Sequence, residues 1–122
     1  MGDLRAIGQP YPLLPGFRDI SGFLDNGWSA WTADEASVLI DGNWIAYSLR
    51  VRGTDSTSWF ITEQLPPGIL PVGNPPLMGW ADGELIRVQI QNRYIFIPAD
   101  QRGPERPTEL VVNTPAMPRR MP

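Results

Sequence analysis

Residues 44–52 alternate without a break. Ile45, Tyr47, Leu49 and Val51 fall on one side of an extended chain, and Trp44, Ala46, Ser48, Arg50 and Arg52 on the other. A helix brings side chains back to one face every ~3.6 residues, so a period-two pattern of this length specifies a strand. The first set predicts a buried face, and the second an exposed face or a polar subunit contact. A second alternating segment, 84–91, turns Ile86, Val88 and Ile90 inward and Arg87, Gln89 and Gln91 outward. A third, 93–98, alternates Tyr94 and Phe96 with Ile95 and Ile97.

Between these segments the chain is punctuated by 14 prolines and 12 glycines, close to the level at which disorder is suspected. The β-branched and aromatic residues spread among them predict many short strands joined by rigid turns instead. Shorter strands are expected at 28–32, 37–41, 58–63, 78–80 and 108–113. Reversals are expected at Asn26-Gly27, Asp41-Gly42, Asp82-Gly83 and 91–93. Pro66, Pro67, Pro71, Pro75 and Pro76 forbid regular ladders across 65–77, which reads as an ordered crossover. Thr32 and Glu35 have capping-box spacing, but the segment 32–36 allows only a loop or one helical turn.

These signals predict an all-β fold, a small antiparallel β-sandwich of jelly-roll type, occupying residues 24–113. At 122 residues the chain suffices for one core. Residues 1–23 read as a proline-rich extended arm, since Pro10, Pro12 and Pro15 withhold donors. The arm carries Tyr11, Leu13, Leu14 and Phe17, too many large apolar groups for a plain linker. It either wraps its own domain or lies on a neighbouring subunit. Residues 114–122 read as an exposed, flexible tail.

Three absences narrow the chemistry. Without cysteine there is no disulfide, thiolate nucleophile or Cys-ligated zinc. Without histidine the usual general base and commonest metal ligand are missing. Without lysine, all 10 basic residues are arginine, which reflects either coding bias or a use for bidentate guanidinium pairs. The net charge of −3 does not suggest nucleic acid as a partner, and no apolar run reaches the ~20 residues that span a bilayer. Met1-Gly2-Asp3-Leu4-Arg5 lacks the layout of a secretory signal, so a soluble chain made in the cytoplasm is expected. No cofactor or metal is expected. Asp82/Glu84 and Asp34/Glu35, the closest acidic pairs, sit where acids commonly serve turns and helix starts.

The order of parts resembles a known group. Asn26-Gly27-Trp28 precedes the long strand 44–52 and a second strand at 59–62. Leu65-Pro66-Pro67-Gly68, a proline crossover and a final hairpin of 87–91 with 94–98 follow. This resembles the small β-sandwich domains that end bacteriophage tail fibres and receptor-binding proteins, over roughly 25–113. The resemblance implies a non-enzymatic virion protein, made in the host cytoplasm, acting as a homotrimer on a host surface glycan or protein. A free-standing chain with no fibre shaft admits an alternative: a capsid or tail decoration protein stapled to virion subunits by its arm.

For ligand binding the candidates are Trp44, which lies off the core register of its strand, then Trp31 and Trp80 near turns. The favoured alternative is that all five tryptophans serve the core or subunit contacts. For assembly the candidates are Tyr11, Leu13, Leu14 and Phe17 of the arm, with the outward Arg50, Arg52 and Arg87.

Overall fold

A computed structural model describes residues 16–31, 35–53 and 58–120 of the chain. Among them lie nine strands, all paired antiparallel. These are β1 (Gly16–Asp19), β2 (Trp28–Ala30), β3 (Ala36–Asp41), β4 (Trp44–Gly53) and β5 (Pro76–Ala81), then β6 (Glu84–Gln91), β7 (Tyr94–Phe96), β8 (Glu109–Asn113) and β9 (Met117–Pro118). The described helical content is three short 3₁₀ turns. The all-β expectation is met.

The long alternating segment becomes β4, and both of its edges are occupied. β3 and β2 pair in line along one edge, β9 and β8 along the other. β8 continues to β5, then β6 and β7, while β1 flanks β3. Because β8 hydrogen-bonds to both β4 and β5, the strands make one curled sheet rather than two facing sheets.

The curl comes back toward its start. The Ile97 N–H donates to the Trp59 carbonyl and the Ile61 N–H to the Ile95 carbonyl. On the other side of this segment, Asp25 N–H donates to Ile61 and Glu63 N–H to Phe23. Residues 59–63 thus stitch the β7 edge to the stretch that turns at Asn26-Gly27 into β2. A strand was expected at 58–63, but only isolated bridges form, at Phe60 and Thr62. Each bridge serves a different neighbour, so no ladder propagates. Arg106 seals the seam: Nη1 donates at 2.8 Å to the carbonyls of Asn26 and Ser58, and the guanidinium lies 4.5 Å over the Trp28 ring.

The concave face is sealed. Ile45, Tyr47, Leu49 and Val51 are at most 1% exposed, and Ile86, Val88 and Ile90 are buried beside them, as the alternation predicts. Each fully buried Leu or Ile stabilises by about 1.5–3 kcal/mol. Tyr47 brings a hydroxyl into this interior and donates it to the Ile69 carbonyl in the crossover. That crossover contains a 3₁₀ turn, Pro67–Ile69, and β5 begins at Pro76, where a missing N–H is tolerated.

Several boundaries differ from the sequence reading. β1 pairs with β3 and Ile20 is buried, so this last part of the expected arm packs on its own domain, the first of the two alternatives, with 16–19 as an edge strand. At the other end β9 pairs with β4, and Arg119 donates to the carbonyls of Gly68 and Gly42, which ties down much of the expected tail. The β3–β4 reversal is centred on Gly42-Asn43, one residue later than Asp41-Gly42, because Asp41 pairs with Trp44 and the positive φ of 59° falls on Gly42. β2 ends at Ala30, short of the expected 28–32. The possible helical turn at Thr32, and residues 1–15 of the arm, lie outside the described residues.

Two measurements probe this packing. Gly79 of β5 is paired with Val112 of β8, and a Cβ there would overlap the Val111 carbonyl oxygen. Gly79→Ala is expected to lower stability in urea unfolding by about 1–3 kcal/mol. Burial pushes the Tyr47 hydroxyl well above its usual value of 10.0. A raised folded-state pKa gives stability that is full below pH 10.0 and declines as pH rises past it. Tyr47→Phe is expected to lose about 1–2 kcal/mol at neutral pH, from the stranded Ile69 carbonyl, and to flatten that alkaline decline.

Candidate binding face

The convex face of the sheet carries what the alternation turned outward. Trp31 follows β2 and lies beside Arg50, its N–H donating to the Arg50 carbonyl. Arg50 is opposite Val111, Val111 opposite Trp80, and Trp80 opposite Leu85. These side chains form one row perpendicular to the strands, about 19 Å long at ~4.8 Å per strand. Trp80 and Leu85 are 49% and 66% exposed, and Met78, on the same side of β5 as Trp80, is 45% exposed. Singly such residues are ordinary on a surface, but Val111, Trp80, Leu85 and Met78 adjoin across three neighbouring strands as one apolar strip, with Arg50 between it and Trp31.

The strip has charged ends that are largely committed within the chain. Arg50 Nε sits 3.1 Å from the Glu109 carboxylate and Nη1 3.6 Å from that of Glu35. The guanidinium groups of Arg50 and Arg52 lie 5.1 and 4.9 Å from the Trp31 ring centroid, so two cations hold that indole on the sheet. At the other end the Arg87 backbone N–H donates to Gln101 Oε1, and its Nη2 donates to both Asp100 carboxylate oxygens, at 2.7 and 2.8 Å. That hydrogen bond from Arg87 holds the Asp100 carboxyl below the usual range. The Arg87 guanidinium therefore fastens the Ala99–Gln101 turn to β6 rather than reaching outward.

Trp44 occupies a different place. It is 51% exposed and lines an open cleft of about 370 Å³ with Leu39, Asp41, Ala46 and Ala116. Phe17, the most exposed large apolar residue described, is opposite Leu39 and so adjoins this cleft. Six residues along β4 separate Trp44 from Arg50, or ~20 Å. The structure thus brings Trp31 and Trp80 into one row with Arg50, and leaves Trp44 with Phe17 as a second patch. Trp28 is buried and Trp59 packs partly against the core, so the five tryptophans divide between the two faces. Tyr11, Leu13 and Leu14 lie outside the described residues.

Leu85, Met78 and Val111 escaped the sequence reading. The signal was present: Leu85 shares the outward register of Arg87 and Gln89, a large apolar residue among polar ones. Asp82, one of the paired acids, has a different occupation. Its carboxylate accepts from the Thr108 hydroxyl at 2.8 Å, the Glu109 N–H at 2.9 Å and the Thr108 N–H at 3.1 Å. It clamps the β5–β6 turn to the start of β8. Among the described residues no group of three or more His, Cys, Asp or Glu is placed to hold a metal, and no helix is long and apolar enough to cross a membrane.

Compared with protein-family models, curated proteins and solved structures, the chain finds no match.

Partial burial pushes the Asp82 carboxyl up, but the Thr108 and Glu109 hydrogen bonds outweigh it and hold the group below its usual 3.8. A depressed folded-state pKa gives stability that is present above pH 3.8 and lost as pH falls further. Asp82→Asn is expected to weaken the domain at neutral pH and to reduce its acid sensitivity, as read by thermal melting between neutral pH and pH 3.

Proposed function

We propose that this chain is a non-enzymatic attachment and assembly module that docks a protein partner on its convex face. The observation that carries the reading is the row Trp31–Arg50–Val111–Trp80–Leu85, extended by Met78. Its Val111–Trp80–Leu85 portion with Met78 sets an apolar strip, flanked by Arg50 and Trp31, on a sheet whose opposite face is already sealed. A strip with aromatic anchors, a polar surround and its nearby charges paired internally has the composition of a protein contact. The concave face offers no comparable opening, since the side chains of β4, β6 and β8 fill it.

For the setting we propose the one implied by the resemblance, a virion component of tail-fibre or receptor-binding type that works as a symmetric oligomer. The order of long strand, proline crossover and final hairpin supports it, and so does the wide, rigid face. The decoration alternative rests on the arm, of which residues 16–19 pair within this domain and residues 1–15 lie outside the described residues.

The strip is tested by Leu85→Arg and Trp80→Ala in the purified full chain. Both side chains point outward, so each is expected to change folding stability by no more than about 0.5 kcal/mol. Each is also expected to weaken self-association or partner binding by roughly tenfold or more, as for a truncated hot spot. A monomer by light scattering would remove the oligomer from the reading. Host-cell and partner binding unchanged in both variants would remove the face. A coding sequence flanked by capsid genes, rather than fibre genes, would favour decoration.

A further inference from the structure

A third feature lies at the opposite end of β6 from Leu85, seven residues or ~23 Å along the strand. Gln64, Asn74, Asn92, Arg93 and Arg120 line a cleft of about 530 Å³ there. Two guanidinium groups face it together with three carboxamides, and no acidic side chain lines it.

The other arginines show why this pairing stands out. Arg50 and Arg87 are paired with carboxylates, Arg102, Arg106 and Arg119 donate to backbone carbonyls, Arg52 lies over the Trp31 ring, and Arg18 stands apart on edge strand β1. Arg93 instead donates from Nη2 to Gln64 Oε1 at 3.2 Å, and Gln64 Nε2 in turn donates to the Asn92 carbonyl. Gln64 therefore aims Arg93 without neutralising it. Among the described residues no carboxylate pairs with Arg93 or Arg120. In a chain of net charge −3, two uncompensated cations on one cleft concentrate positive potential where an anion fits.

The backbone points the same way. The β6–β7 turn places both Asn92 and Arg93 at positive φ, 53° and 70°. Glycine is the relaxed residue at the second position of such a turn, and a long side chain there is strained. Strain of this kind is retained where the side chain has a task.

We propose that this cleft binds a carboxylate-bearing saccharide, the two arginines taking the carboxylate and the Asn74 and Asn92 carboxamides taking hydroxyls. Guanidinium groups match carboxylates in charge and planar geometry. Carboxamides both donate and accept, as ring hydroxyls do, whereas a bare anion needs only donors. The volume also exceeds what a simple ion requires and suits one or two sugar rings. The site is independent of the convex strip, and the proposal stands whether or not that strip docks a protein.

The test is titration of the ¹⁵N-labelled full chain with D-glucuronate and N-acetylneuraminate, with D-glucose and inorganic sulfate as controls. Saturable shifts at Asn74, Asn92, Arg93 and Arg120 with an acidic sugar, absent with glucose and much weaker with sulfate, are expected. Arg120→Gln should weaken binding roughly tenfold. Arg93→Gly should do the same while melting at or above the wild-type temperature, because glycine relieves the positive φ. Trp80→Ala should leave the titration unchanged. No saturable shift with either acidic sugar, equal binding of sulfate, or full binding by Arg93→Gly would each overturn the proposal.

Discussion

Hydrogen bonding along both edges of β4 is the constraint on which the other strands depend. Four strands pair with this one segment, and the sheet on either side is an extension of those pairings. A strand so enclosed has no freedom of register, because a shift by one residue would bring Arg50 and Arg52 into the core and expel Leu49 and Val51. The curl has a related cause. Once the inward residues pack together, the far edge at β7 meets residues 59–63, and Arg106 fills the last gap with charge-assisted bonds to carbonyls. Burial draws the pKa of that guanidinium down, which marks the desolvation those bonds must offset.

A sheet sealed on one face leaves its other face to the surroundings. The surface outside the core is divided by chemistry. The strip through Trp80 and Leu85 is apolar, and its neighbouring charges are satisfied internally. The cleft at the β6–β7 turn is polar, and its two arginines have no carboxylate among the described residues. The first suits a broad contact in which water is excluded, and the second suits a small hydrated anion. Their separation along β6 lets the two act without interfering.

The sequence foreshadowed some of this and concealed the rest for definite reasons. The placement of Trp44 on the surface follows from strand parity, since it lies off the inward register, whereas Trp31 and Trp80 are marked in sequence only by their nearness to turns. Parity also marks Leu85, which is conspicuous only once Ile86 is known to be buried. By contrast, 59–62 has the composition of a strand, and only the presence of two different neighbours shows why no ladder forms. Arg87 looks like an outward charge in sequence, yet Asp100, 13 residues away, takes it up through both carboxylate oxygens. Arg93 and Arg120 lie far apart in the chain, so no spacing rule could have joined them.

By itself the sequence determined the strand class, the inward residues of β4 and β6, and the positions of most turns. Those properties are local: they follow from side-chain alternation and from backbone preferences within a few residues. Only the tertiary structure decided that β8 would join the strands into one curled sheet, that 16–19 and 117–118 would be absorbed into it, and which arginines would be consumed and which left facing a cleft. Those outcomes depend on pairings between segments distant in the chain, and such pairings are selected by the packing of the whole core.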